Sequence, residues 1–139
     1  MGTVGESDWE ELYGILFAQA PVGVLVFDRD RVVVDVNERL LAILATTRKQ
    51  VVGLDLSSLR DRSALAAVDR ALAGEPATYE GPYKATTSDA EVVVSIRTAP
   101  LRGRGGAVVG GVAMVEDITE RRAAEDALKR SEARFRRLI

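Results

Sequence analysis

Five β-rich runs set the limits on this chain: two close together near the start, three in succession later, and short helical pieces in between. Val22 to Phe27 and Arg31 to Val36 flank the polar turn Asp28-Arg29-Asp30 and read as a hairpin. Ala77 to Thr86, Val92 to Leu101 and Ala107 to Val115 are separated by Thr87-Ser88-Asp89-Ala90 and by the glycine-rich stretch Arg102 to Gly106. The order predicts an α+β fold, a five-stranded antiparallel sheet with short helices on one face. A length of 139 residues suits one compact domain, and 47% hydrophobic residues suffice for its core.

Helix signals fall between and outside these runs. Ser7-Asp8-Trp9-Glu10 reads as a capping box with Ser7 as N-cap. Behind it Trp9, Leu12, Tyr13, Leu16, Phe17 and Ala20 share a stripe that Pro21 ends. The stripe covers either the domain's own core or a second copy. Asn37 is expected to cap a short helix, Glu38 to Leu44, with Leu40, Leu41 and Leu44 inward. Thr47-Arg48-Lys49-Gln50 repeats the capping-box logic for one turn ending at Gly53. Asp61 or Ser63 opens a helix through Leu65, Val68 and Leu72, closed by Gly74.

From Glu120 to Ile139 there is no glycine and no proline, and mixed charge is dense. Glu125–Lys129, Asp126–Arg130 and Glu132–Arg136 have the spacing of helical ion pairs. Arg121, Leu128 and Phe135 lie seven apart, as do Ala124, Ser131 and Leu138, a weak heptad seam. Such a helix either projects and pairs in a dimer or docks back on its own domain.

Two absences narrow the chemistry. Without cysteine there is no disulfide, thiolate metal site, thiol nucleophile or flavin–cysteinyl adduct. Without histidine there is no imidazole base, histidine-ligated haem or phospho-accepting histidine. No metal site is expected. The net charge of −2 draws the chain toward neither nucleic acid nor anionic membrane. No apolar run is long enough to span a bilayer, and the N-terminus lacks a signal-peptide pattern. Only Glu116 with Asp117, and Asp28 with Asp30, offer close acidic pairs near strand ends, where turn and capping chemistry accounts for them.

Taken in order, these stretches resemble the PAS family. Ala20-Pro21-Val22-Gly23-Val24 before Phe27-Asp28-Arg29-Asp30 is similar to its first strand and turn. Val34-Asp35-Val36-Asn37-Glu38 is similar to the segment where an asparagine caps the first inner helix. Tyr79-Glu80-Gly81-Pro82-Tyr83 and Val94 to Leu101 resemble the last hairpin, and Gly110 to Arg122 resembles the closing strand with its Asp-Ile-Thr junction. Residues 1–20 would then be an N-terminal amphipathic helix, 21–119 the PAS domain, and 120–139 a linker and signalling helix. Ala127 to Ile139 looks like a linker into a further PAS domain, against the plainer reading of an amphipathic tail.

The resemblance implies a non-catalytic sensory module of a larger cytoplasmic protein, with a histidine kinase or a cyclic-dinucleotide synthase as effector. It disfavours cysteine-linked flavin and histidine-ligated haem, leaving the cofactor unknown. Ligands in such domains sit between the sheet and the short helices. In that register Val94, Ile96 and Thr98 face inward and Ser95 and Arg97 outward. Ala113 and Val115 share the cavity, Val68 and Leu72 roof it, and Tyr83 and Lys84 are candidate polar contacts. A packed, ligand-free core fits the same residues. A ligand would be small and largely apolar or weakly acidic. Arg97 is assigned to an outer-face ion pair near Glu116 and Asp117, or to a dimer surface. Asp117, Ile118 and Thr119 would transmit the signal. A homodimer is expected, with Trp9, Leu12, Leu16, Leu128 and Phe135 as interface candidates and neither nucleic acid nor membrane as partner. The alternative is a ligand-free dimerisation or spacer module.

Overall fold

The computed structural model describes residues 6–138. Helix α1, Glu6–Gln19, precedes a hairpin of β1, Gly23–Asp28, and β2, Val33–Val36. Three short helices follow: α2, Glu38–Ile43; α3, Arg48–Val51; and α4, Leu65–Leu72; a 3-10 turn at Leu56–Ser58 lies before the last. The chain then runs through β3, Ala77–Lys84; β4, Glu91–Arg102; and β5, Val108–Asp117; helix α5, Thr119–Leu138, ends it. The five strands form one antiparallel sheet in the order β2-β1-β5-β4-β3. This is the α+β architecture the sequence predicts.

The sheet buries one face under the short helices. Alternation along β4 sends Val94, Ile96 and Thr98 inward and leaves Arg97 exposed. Leu25, Phe27, Ala113 and Val115 bury the same face of β1 and β5. The helical layer is stitched down by backbone bonds: Gly53 donates to Val33, Val33 to Leu54, and Leu56 to Arg31. Thr98 ties α4 to the sheet by donating its buried hydroxyl to the Ala67 carbonyl at 2.7 Å.

Asn37 is the hub of the N-terminal half. Its Oδ1 accepts from the amides of Leu40 (3.1 Å) and Val24 (2.8 Å). Its Nδ2 donates to the carbonyls of Phe17 and Val22, each at 3.0 Å. One side chain therefore starts α2, closes the ladder at β1 and anchors the end of α1.

Several local expectations are corrected. Ser7 lies inside α1 rather than capping it, because the helix already includes Glu6. Thr47 occupies the N-cap of α3 but bonds the Gln50 side chain instead of a backbone amide. The N-cap of α4 is Ala64; Asp61 and Ser63 form an Asx turn ahead of it. β5 runs two residues past Val115, since Glu116 and Asp117 still pair with Ser95 and Val94. Among the described residues, none of the three ion pairs expected along α5 forms; Arg121 reaches Glu116 (3.7 Å) and Arg122 reaches Glu80 (2.8 Å).

Among the described side chains of α1, Leu12, Tyr13, Ile15 and Leu16 are exposed and Phe17 is half-buried, as is Ala20 just beyond the helix. α5 stands clear of the domain after its first turn, with Arg122 its one half-buried residue. Among the described residues, no helix is long and apolar enough to cross a membrane.

A small apolar cavity and the joint beside it

Between sheet and helices lies a cavity of about 70 Å³. Its floor is Leu25 of β1, Val94, Ile96 and Thr98 of β4, and Ala113 and Val115 of β5. Leu40, Leu44, Leu56, Leu59, Leu65 and Val68 close it from the helical side. Asp61 and Tyr83 also line it, so a carboxylate and a phenol join Thr98 in a wall otherwise built of hydrocarbon. A second void of about 50 Å³ adjoins it behind Leu44, Leu56, Leu59 and Tyr83.

Of the nine residues singled out from the sequence, seven line this space and two, Leu72 and Lys84, do not. Tyr83, Val94, Ile96, Thr98, Ala113, Val115 and Val68 line it. Leu72 packs half-buried on the core without reaching the cavity, which lies under the N-terminal half of α4 where Ala64, Leu65 and Val68 project. Lys84 points out to solvent on the opposite face of β3, 3.7 Å from Glu91, and cannot anchor a ligand in the cavity. Thr98 is present but its hydroxyl proton is committed to α4.

Asp61 is the contact that sequence reasoning passed over as a helix opener. Its Oδ1 accepts from the Ser63 amide (2.9 Å) and hydroxyl (2.5 Å), and its Oδ2 from the Lys84 amide (2.8 Å). Partial burial pushes this carboxyl up, but those hydrogen bonds and the nearby Lys84 charge outweigh it, so the net direction is down. It is a carboxylate at neutral pH. Asp55-x-Ser57 forms the same turn six residues earlier, a repeat visible in the sequence. The Tyr83 hydroxyl is pushed up to about 12, first by burial and then by the Asp61 charge, which keeps it protonated.

The joint into α5 adjoins the cavity floor. Ile118 is buried, and its amide donates to the Val93 carbonyl at 2.8 Å. The Thr119 hydroxyl accepts from the Val93 amide at 2.9 Å and donates to Asp117 Oδ1 at 2.6 Å. Asp117 Oδ1 also accepts from the Thr119 amide. Val93 thus holds both residues that begin the helix, and its neighbour Val94 is a wall of the cavity.

The remaining candidates lie on the surface. Leu12, Leu16, Leu128 and Phe135 are exposed, the last two by 60% and 64%. Trp9 belongs to α1, but its side chain lies outside the described residues. Arg97 is exposed on the outer sheet face, and among the described residues it pairs with no carboxylate, Glu116 having turned to Arg121. The Asp28 and Asp117 carboxylates are engaged in turn and cap hydrogen bonds. Among the described residues, no cluster of acidic side chains could hold a metal ion.

Comparison with known proteins places the architecture. A family profile described as the PAS fold matches residues 17–123. No curated protein matches the chain. Among solved structures, an RNA-binding light-oxygen-voltage receptor aligns with a TM-score of 0.75 at 18% identity, covering 98% of this chain and 40% of that one. A PAS domain from Colwellia psychrerythraea gives 0.69 at 18% identity, covering 81% and 99%. A domain of a sensory box sensor histidine kinase/response regulator from Geobacter sulfurreducens gives 0.66 at 23%, covering 84% and 100%. At these identities the likeness is one of fold.

Proposed function

This chain belongs to the PAS-fold family, and from that premise we propose that it is a non-catalytic sensory module of a larger cytoplasmic signalling protein. Occupancy of the cavity, or contact with a partner, would change how α5 leaves the sheet and so instruct an effector further along the chain. The division into an N-terminal helix (1–20), a sensor (21–119) and a linker helix (120–139) belongs to the same reading, as does a two-component or cyclic-dinucleotide effector.

The observation that carries it is the bond pair at Val93. A ligand that displaces Val94 also displaces the backbone that holds Ile118 and Thr119. Any ligand moves such an equilibrium only by its difference in affinity for the two arrangements. The kinship with a light-oxygen-voltage receptor does not extend to cysteinyl-flavin photochemistry, because the chain has no cysteine.

Asp117→Ala tests the joint. It removes one cap on an exposed helix end, a loss of about 1 kcal/mol, so the domain should stay folded while the parent protein's output changes. Unaltered output in the parent would remove the joint from the signalling path.

A ligand-free dimerisation or spacer module is the second reading, favoured by the small size of the cavity and by the exposed apolar residues of α1 and α5. Native mass spectrometry of the freshly purified chain separates the two: a small molecule released on unfolding supports sensing, whereas a bare dimer supports the spacer. Under either reading α5 pairs between copies. Leu128→Glu should therefore weaken dimerisation about tenfold or more in sedimentation equilibrium, by placing like charges across the seam. Its melting temperature as a monomer should not change, because the residue is exposed.

A further inference from the structure

Among the described residues, the only charged one that lines the cavity is Asp61, and no lysine or arginine lines it. A carboxylate ligand would enter beside a like charge, with no cation to replace its water, and would be penalised on both counts. The polar groups that do face the cavity favour the opposite chemistry. Asp61 Oδ2 accepts a single hydrogen bond, from the Lys84 amide, and so retains a free lone pair. Among the described residues the Tyr83 hydroxyl has no hydrogen-bond partner, and as a neutral phenol it both donates and accepts. The Thr98 hydroxyl adds no donor here, because its proton goes to Ala67.

We infer that the cavity takes a small, largely apolar molecule carrying a hydrogen-bond donor, such as a short alcohol or a short alkylammonium, and rejects the matching carboxylate. This rests on the cavity-occupancy reading above, keeps the largely apolar ligand weighed from the sequence and sets aside its weakly acidic alternative, which needed an inward-facing lysine or arginine. The volume of about 70 Å³ limits the occupant to a handful of heavy atoms, since a water's share of the liquid is about 30 Å³. The adjoining void extends that limit where Leu44, Leu59 and Tyr83 shift. The alkyl end lies against Val94, Ile96, Ala113 and Val115, and the donor end lies at Asp61 and Tyr83.

Propan-1-ol, propylammonium and propionate share a carbon skeleton and differ in the head group, so titrating the full chain with each isolates the polar end. Xenon serves as a filler without a donor, and the amide resonances of Val94 and Ala113 report occupancy in place. Propan-1-ol and propylammonium should shift these resonances, with propionate about tenfold weaker or more, the factor that one hydrogen bond to a charged group is worth. Asp61→Asn should close the gap between propylammonium and propionate. Tyr83→Phe, which removes one hydroxyl, should weaken propan-1-ol and leave xenon unaffected. Propionate binding as tightly as propylammonium, or a gap that survives in Asp61→Asn, overturns the inference. Xenon entering while all three probes fail overturns the donor preference and leaves occupancy standing. If xenon also leaves both resonances unmoved, the occupancy reading falls and takes the inference with it.

Discussion

Asn37→Ala should lower the folding free energy by about 4 kcal/mol and the melting temperature by roughly 15 °C, a loss as large as that expected from truncating a buried core side chain. The residue is 1% exposed, and its amide group makes four hydrogen bonds to backbone of three different segments. Truncation leaves the Val24 and Leu40 amides and the Phe17 and Val22 carbonyls without those partners, and each orphaned buried group costs about 1–3 kcal/mol where water does not replace the bond. Loss of the cap on α2 is part of that total. Urea denaturation measures it: the midpoint should fall with little change in slope. A loss under about 1 kcal/mol would mean that water fills the vacated site and that the hub is not structural. α1 should also loosen first, because the Phe17 carbonyl is the end of α1 that Asn37 holds. Hydrogen exchange over residues 10–19 should rise more than exchange in the sheet.

What the sequence disclosed and what it withheld divide along the range of the interactions. β4 was legible because Val94, Ile96 and Thr98 alternate with Ser95 and Arg97, and a strand between two neighbours has one apolar face to bury. Asn37 was legible as a cap, since capping is local; its bonds to Phe17, Val22 and Val24 depend on chain brought together by the fold. β3 carries a usable signal in its alternation. Ala77, Tyr79, Gly81 and Tyr83 share one parity, and the polar or proline set Thr78, Glu80, Pro82 and Lys84 shares the other, which turns Lys84 outward. Asp61 was harder, because an Asx turn ahead of a helix looks the same in sequence whether its free oxygen faces solvent or a cavity. Leu72 sits four residues after Val68 on the same side of α4, but helical periodicity does not say where along the helix a void ends.

Gly110→Ala is expected to cost about 3 kcal/mol, through a clash that no rotamer change relieves. Gly110 lies on β5 opposite Asp28 of β1 and Leu101 of β4, so its backbone is flanked on both sides. A Cβ there would overlap the Phe27 carbonyl oxygen and lie 3.2 Å from the Asp28 Cα, both backbone atoms of a paired strand. The register explains the approach. Leu101 pairs with Gly110 and Arg102 with Val108, which leaves Val109 as the extra residue of a bulge that bends β5 beside β1. The neighbouring glycines separate the causes. Gly111→Ala would meet the buried Phe27 ring, a side chain rather than paired backbone, with the Ala99 carbonyl oxygen 3.2 Å away, and should cost somewhat less. Gly105 has open space around it but a φ of +82°, so alanine there should cost about 1 kcal/mol from backbone strain alone. Gly14, in α1 with nothing within 4 Å, should tolerate alanine or gain from its helix propensity. Urea midpoints for the four variants should rank Gly110 worst and Gly14 best. If Gly110→Ala falls no further than Gly105→Ala, close strand approach is not what requires glycine at 110. The ranking bears on signalling as well as stability, because β5 joins both halves of the sheet and runs straight into Ile118 and α5. A bend imposed at Gly110 therefore sets the course of the strand that delivers the joint.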